Sequence, residues 1–331
     1  MEKKPICEFI ESSLVNGELP GMSMIQSNYR EAAVSGVRVG FADGAPDGIA
    51  RYHTFPPQFT KEDDEEIKAA IQLALSGKTE EADMAFKKIH TEFQSIHLID
   101  AIQDLVQEVA GPGSKELLDY ACRCAFESDS IELVKTGLII MELYASELEK
   151  SEEYRHRITT LGLADEFTIY VVFIIRNWKN GNNRVFNLVK KVHGWGRIHT
   201  IEQLKNDTDE IKHWLLTDAV DNTIMNEYSC LPCWFKSGAA EKLSEEMTRE
   251  EFTGVRKIIA ALLEYGPGGR SIYDIEDPKG SLKNFLDQAD RFELNDDDKK
   301  VVESAEAFLD GRPCKSNITV VDVGDLEETE E

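Results

Sequence analysis

Residues 185–228 read VFNLVKKVHGWGRIHTIEQLKNDTDEIKHWLLTDAVDNTIMNEY, and their spacing decides the fold. Phe186, Val189 and Val192 share one stripe, Ile198, Ile201 and Leu204 the next, and Ile211, Leu215 and Ala219 a third. Apolar residues three and four apart lie on one face of a helix, so the stretch is a run of short amphipathic helices. Glycines at 194 and 196 and the Asn206-Asp207 turn break it into pieces. Helices this short cannot bury their stripes alone. Each must stack on its neighbours, which is the logic of a helical repeat.

The same pattern continues in both directions. Thr60 supplies an N-cap with acids in the first turn, followed by Ile67, Ala70, Ile71 and Leu75. Ala82, Phe86, Ile89 and Phe93 follow, then Ile99, Ile102, Leu105 and Val106 up to Gly111-Pro-Gly113. Leu163 to Trp178 is apolar on all sides and reads as a central buried helix, whereas Glu147 to Arg157 is polar and reads as an exposed segment. Phe252 to Tyr265 ends at a second Gly-Pro-Gly, and two more helices run to Leu309. About fourteen helices joined by short turns predict a mainly α fold, a HEAT-like α-solenoid of degenerate repeats over residues 60–310.

Residues 1–59 stand apart. Gly36-Val-Arg-Val-Gly-Phe41 and Ile49-Ala-Arg-Tyr-His-Thr-Phe55 flank two Asp-Gly pairs and a proline, which predicts a small N-terminal β-hairpin. Phe55-Pro-Pro-Gln-Phe59 is an extended linker, since no helix continues through Pro-Pro. At the other end, residues 311–331 form an acidic tail expected to be disordered, with a strand-like run at 318–323.

Composition narrows the function classes. Lys and Arg number 37 against 62 Asp and Glu, a formal net charge of -25. That charge repels phosphate backbones and anionic membranes, and it suits a basic protein or peptide as partner. Six cysteines, at 7, 122, 124, 230, 233 and 314, are scattered through the chain as free thiols of a reducing compartment. No signal peptide is legible at the N-terminus, and the apolar run 167–175 is far below the ~20 residues a membrane helix needs. A cytoplasmic protein is expected.

Phe41-Ala-Asp-Gly-Ala, Tyr52-His53, Gly194-Trp-Gly-Arg-Ile-His199, Trp214-Leu-Leu216 and Met225-Asn-Glu-Tyr228 together carry a resemblance. Over residues 35–270 the chain resembles a group of uncharacterised bacterial HEAT-like repeat proteins, some of which bear a limonene hydroxylase label. The resemblance implies a helical-repeat fold and, through the label, an oxygenase as the alternative to a binding scaffold. Arg197-x-x-Thr200-x-x-x-Leu204, followed by Asp207, Asp209 and Leu215-Leu216, likewise resembles the second helix of a HEAT repeat leading into the next.

Chemistry-bearing patterns are few. Cys230-x-x-Cys233 is a single pair without a second Cys or His pair in reach, so buried thiols are expected rather than zinc or a redox dithiol. Glu153-x-x-His156 and Glu210-x-x-His213 have the spacing of a di-iron carboxylate site, but acids in a charged run and in a first helical turn already explain them. There is no phosphate-binding loop and no Gly-x-Ser-x-Gly nucleophile elbow. Trp195, Arg197, His199, Asn222, Asn226, Glu227 and Tyr228 form the candidate binding set, an aromatic, guanidinium and amide group on one concave face. Against this, Trp195 is expected to pack between repeats and Arg197 to pair with an acid such as Asp218 or Glu227. The reading is a non-catalytic protein- or peptide-binding scaffold, with no catalytic residue, metal or cofactor assigned. Its alternative is a metal- or thiol-dependent enzyme of the oxygenase kind.

Overall fold

Helix follows helix from Ile6 to Leu309. The computed structural model describes residues 3–30, 41–111, 113–264, 266 and 270–312. Among these residues are nineteen α-helices and no strand. The single β feature described is an isolated bridge between Val15 and Glu18 across Asn16-Gly17, both at positive φ.

The chain begins with α1 (Ile6–Ser13), α2 (Met24–Tyr29) and α3 (Ala45–His53). Next come α4 (Lys61–Leu75), α5 (Thr79–Glu92), α6 (Leu98–Ala110), α7 (Lys115–Glu127) and α8 (Ile131–Glu142). The middle holds α9 (Ala145–Leu148), α10 (Glu152–Gly162), α11 (Thr168–Ile175), α12 (Gly181–Val189) and α13 (Trp195–Gln203). The remainder is α14 (Asp209–Thr217), α15 (Glu227–Ser237), α16 (Ala239–Lys242), α17 (Arg249–Leu263), α18 (Pro278–Ala289) and α19 (Asp296–Leu309).

Capping residues set many of these boundaries. Thr60, Thr248 and Asn295 each accept a bond from the backbone N–H three residues on, and Asp63, Glu251 and Asp298 bond back to the cap. Ser114, Ser130, Ser151 and Thr208 cap α7, α8, α10 and α14 with a side-chain oxygen. Each such cap contributes about 1 kcal/mol by satisfying an otherwise orphaned amide.

Packing proceeds mostly between helices close in sequence. α4 meets α5, α6 and α7; α8 meets α5, α7 and α11; α11 meets α13; α13 meets α15; and α17 touches α14, α15 and α19. One apolar cluster runs through this series, from Ile6 and Ile10 to Val301 and Ala305. α11 is its most fully buried helix for its length, with seven of its eight residues covered, and it lies against α8, α10, α12 and α13. It is shorter than the predicted 163–178 helix at both ends, and the Thr168 hydroxyl at its start donates to the Gly162 and Ala164 carbonyls at 2.9 and 3.0 Å. The polar stretch 147–157 spans the end of α9 and the first part of α10 and, Leu148 apart, is exposed or half-buried, while Ile158 and Leu161 further along α10 are buried and the helix packs on α1.

The predicted hairpin is overturned where it can be seen. Residues 49–53 of its expected second strand, 49–55, are helical and join residues 45–48 of the expected turn in α3. Gly44 takes the left-handed conformation (φ 79°) that launches the helix, Pro46 sits in the first turn where no N–H is needed, and Asp47 faces the positive end of the helix dipole. Residues 36–40 of the other expected strand lie outside the described residues, as do the run at 318–323 and the tail from 313 onward. The 55–59 linker is non-helical, as Pro-Pro requires. No described helix is long and apolar enough to cross a membrane.

Candidate functional site

The densest polar chemistry lies where α3 seats against α8, α11 and α13. Lys135 on α8 is 3% exposed, and its ammonium lies 2.7 Å from the Asp47 carboxylate and in direct contact with Glu166. Asp47 also accepts from the Tyr170 hydroxyl at 2.7 Å and the Ile96 amide at 3.2 Å. Glu166 accepts from the Gly44 amide at 2.6 Å and the Gln26 side chain at 2.7 Å. Burial alone would raise Asp47, but the Lys135 charge and these bonds hold its pKa below the ordinary value. Burial likewise opposes the Lys135 charge, and the two carboxylates overcome it and raise its pKa. Lys135 is therefore a fixed ammonium that pins α3 to the array, the opposite of the neutral amine a nucleophilic lysine needs.

Two more acids sit beside this cluster. Asp43 accepts from the Ile25 and Gln26 amides at 2.8–3.1 Å, and Asp165 from the Gly194 amide at 2.7 Å. Burial raises both, with amide bonds pulling the other way, so Asp43 is pushed up to about 7 and Asp165 to about 6. Glu166 and Asp165 add to the shift at Asp43 by like-charge repulsion. Both line a pocket of about 190 Å³ with Met22, Val192, His193 and Thr223.

On the other side of α3 is a ring cluster separate from the main core. Ala45, Trp195, Ile198 and Tyr228 are buried together, with Tyr52 and Ile224 against them. The Tyr52 ring lies 6.0 Å from that of Trp195, 5.8 Å from His199 and 5.1 Å from Tyr228, centroid to centroid. His53 Nε2 is 2.6 Å from the Tyr228 hydroxyl. Glu202 is held by two guanidiniums, Arg51 at 2.8 Å and Arg270 at 3.3 Å, and both cations lie over the Tyr52 ring.

Two buried polar atoms here have no hydrogen-bond partner, the Tyr52 hydroxyl and His199 Nε2. Arg51 Nη1 approaches His199 Nδ1 at 3.5 Å, and a guanidinium only donates, so Nδ1 is the acceptor. Burial first, and then the Arg51 charge, push the His199 pKa down to about 3. The ring is therefore neutral and carries its proton on Nε2, a donor without an acceptor. The Glu202 charge reaches the Tyr52 hydroxyl and adds to the raised pKa that burial gives it, yet no hydrogen bond of normal geometry joins them. Orphaned buried groups cost about 1–3 kcal/mol each.

Of the seven predicted binding residues, the structure brings together Trp195, His199 and Tyr228. Trp195 is packed away rather than open to a ligand, at 3% exposure. Arg197 points elsewhere. It does not pair with the Asp218 or Glu227 carboxylate: its guanidinium donates to the main-chain oxygens of Asp218 at 2.7 Å and Ala219 at 3.4 Å, and it lies over the Trp214 ring. Asn222 accepts from the Ile224 and Met225 amides, and Asn226 accepts from the Asn222 amide, so both tie the loop before α15. Glu227 is buried beside Glu264, whose pKa rises to about 7 through its hydrogen bond to Glu227 and through burial. Tyr52, Arg51, His53, Glu202 and Arg270 were missed. Reading 45–53 as a helix would have placed Arg51 and Tyr52 beside Gly48, on the side facing Trp195.

The thiol and metal candidates can be placed too. Cys230 and Cys233 are unpaired and fully buried, and burial pushes the Cys230 thiol up to about 12 and Cys233 higher still. Neither is poised as a thiolate. His156 meets Glu11 at 3.0 Å and His213 meets Glu250 at 3.8 Å, each at the surface and each with a partner other than its Glu-x-x-His acid. Among the described residues no three His, Cys, Asp or Glu side chains converge as metal ligands would.

A wider cleft, of about 750 Å³, opens between α14, α15, α16 and α17. Leu216 and Phe235 supply its apolar surface, and Phe235 is 57% exposed. Lys212, His213, Lys242, Asp209 and Glu241 form a rim of both charges. Comparison of the chain with protein-family models, with curated proteins and with solved structures finds no match.

Proposed function

We propose that the chain is a non-catalytic scaffold that binds a protein or peptide, built as a HEAT-like α-solenoid. From α4 onward, the ladder of contacts between helices close in sequence supports the repeat reading, since each repeat of a solenoid packs on its neighbours. One observation carries the function: the 750 Å³ cleft sets an exposed Phe235 inside a mixed-charge rim. An apolar anchor point ringed by polar groups is the anatomy of a recognition surface. Lys135, His199, Cys230 and Cys233, by contrast, are sealed, all at or below 3% exposure. A net charge of -25 favours a basic partner and steers its approach.

Selection from a displayed library of basic peptides tests this reading. Peptides enriched on the wild-type chain should lose at least tenfold in affinity on Phe235→Ala, because an anchor residue dominates such an interface. A library that enriches nothing on the wild type contradicts it. The competing reading, a metal- or thiol-dependent enzyme of the oxygenase kind, rests on the family resemblance. Elemental analysis separates the two, since stoichiometric iron or zinc in the purified chain would overturn the scaffold.

A further inference from the structure

We infer that Arg51, Arg270 and the ring cluster around Tyr52 form a receptor for a small carboxylate, whose place is held by the chain's own Glu202. This site is distinct from the Phe235 cleft and shares no lining residue with it. The two guanidiniums come from α3 and from the segment after α17, and both converge on Glu202. Two cations on one carboxylate leave a local positive charge unspent, in a chain whose overall charge is -25.

The two arginines are also reachable. Their side chains keep 28% and 27% exposure, whereas Glu202 keeps 16%. The groups in the cluster that lack partners are the Tyr52 hydroxyl and the Nε2–H of His199, which is 1% exposed. Donors are in surplus, so the missing chemistry is an acceptor. Each arginine reaches Glu202 through Nη2 alone, its Nη1 being taken by His199 Nδ1 in Arg51 and by the Tyr228 carbonyl in Arg270, so the two Nη2 groups together form a cradle that a two-oxygen acceptor spans. The Tyr52 ring lies beneath both cations, at 5.8 Å from Arg51 and 4.9 Å from Arg270, and shields that side from water. An ion pair formed there is less weakened by solvent than one at an open surface.

The test is calorimetric titration of the full chain with acetate and with succinate at constant ionic strength, and with inorganic phosphate as a second arm. Saturable binding of a carboxylate is expected in the wild type. Glu202→Gln should bind about tenfold more tightly, because the internal competitor loses its charge while keeping its shape. Arg51→Gln and Arg270→Gln should lose binding. Should either arginine variant fail to fold by circular dichroism, the Glu202→Gln comparison alone decides. The proposal is overturned if wild type and Glu202→Gln both fail to bind, if Glu202→Gln binds no more tightly, or if folded arginine variants bind as before. Phosphate binding in the absence of carboxylate binding overturns the carboxylate assignment as well.

Discussion

Gly48 and Trp195 are in direct apposition: a Cβ on Gly48 would fall 2.2 Å from Cε3 of the Trp195 ring. The indole therefore rests on bare backbone of α3, and no side chain fits between them. Gly48→Ala forces either the ring or the helix to move. Overpacking of this kind typically costs about 1–3 kcal/mol, so the urea midpoint should fall measurably. An unchanged midpoint would show that α3 is not seated as described.

Trp195 and Arg197 should behave differently when truncated. Trp195→Ala removes a 3% exposed ring from the cluster and should cost about 3–5 kcal/mol. Arg197→Ala strands no carboxylate, because its partners are carbonyl oxygens of Asp218 and Ala219. Loss of charge-assisted bonds to such acceptors costs about 1.5–3 kcal/mol. Thermal melts of the two variants check the order, and a larger loss for Arg197→Ala would refute it.

Lys135 holds the N-terminal segment by charge. Lys135→Met leaves Asp47 and Glu166 buried with no cation, a change that typically costs about 3–5 kcal/mol. Adding Asp47→Asn to Lys135→Met should recover part of that loss, since one stranded charge is then gone. If the double variant is no better than the single one, the cluster is not the tether proposed.

Stability should depend on pH with a definite sign. Asp43 has its pKa raised from 3.8 to about 7 by burial, so between about pH 4 and pH 7 the folded chain binds a proton that the unfolded chain has released. Stability from this group is present at the acid end and lost as pH rises through that window, by about 1.4 kcal/mol per pH unit at its steepest. Asp165, raised to about 6, contributes with the same sign. Asp47 is lowered and works the other way, losing its contribution only as pH falls below its ordinary 3.8. Asp43→Asn should therefore gain on the wild type from about pH 4 to pH 7 in denaturant titrations. A constant difference across that range would contradict the assignment.

Much of the fold is legible in the sequence because amphipathic stripes and caps are local. Thr60 with Asp63 marks a helix start that the structure reproduces. Residues 49–55 misled for a physical reason: β-branched and aromatic Ile49, Tyr52, Thr54 and Phe55 after two Asp-Gly pairs imitate a strand, while the deciding contacts come from Lys135 and Trp195, far along the chain. The candidate site was half legible. Trp195 and His199 announce themselves as aromatic groups beside Gly194 and Gly196, and Tyr228 as an aromatic beside Asn222 and Asn226, but Arg51 and Arg270 meet Glu202 only through tertiary packing. Arg197 shows the converse, since a guanidinium satisfied by carbonyls leaves no complementary acid to find in the sequence.

The scaffold reading is tested most directly by affinity purification from the native host at low salt, comparing wild type with Phe235→Asp. Phe235 is 57% exposed at the cleft, so the substitution should leave the fold intact while placing a charge at the anchor. The predicted result is a specific protein recovered with the wild type at near-stoichiometric yield and lost with the variant, both chains giving the same melting curve. Recovery of no specific protein, or equal recovery by the two chains, would contradict the account.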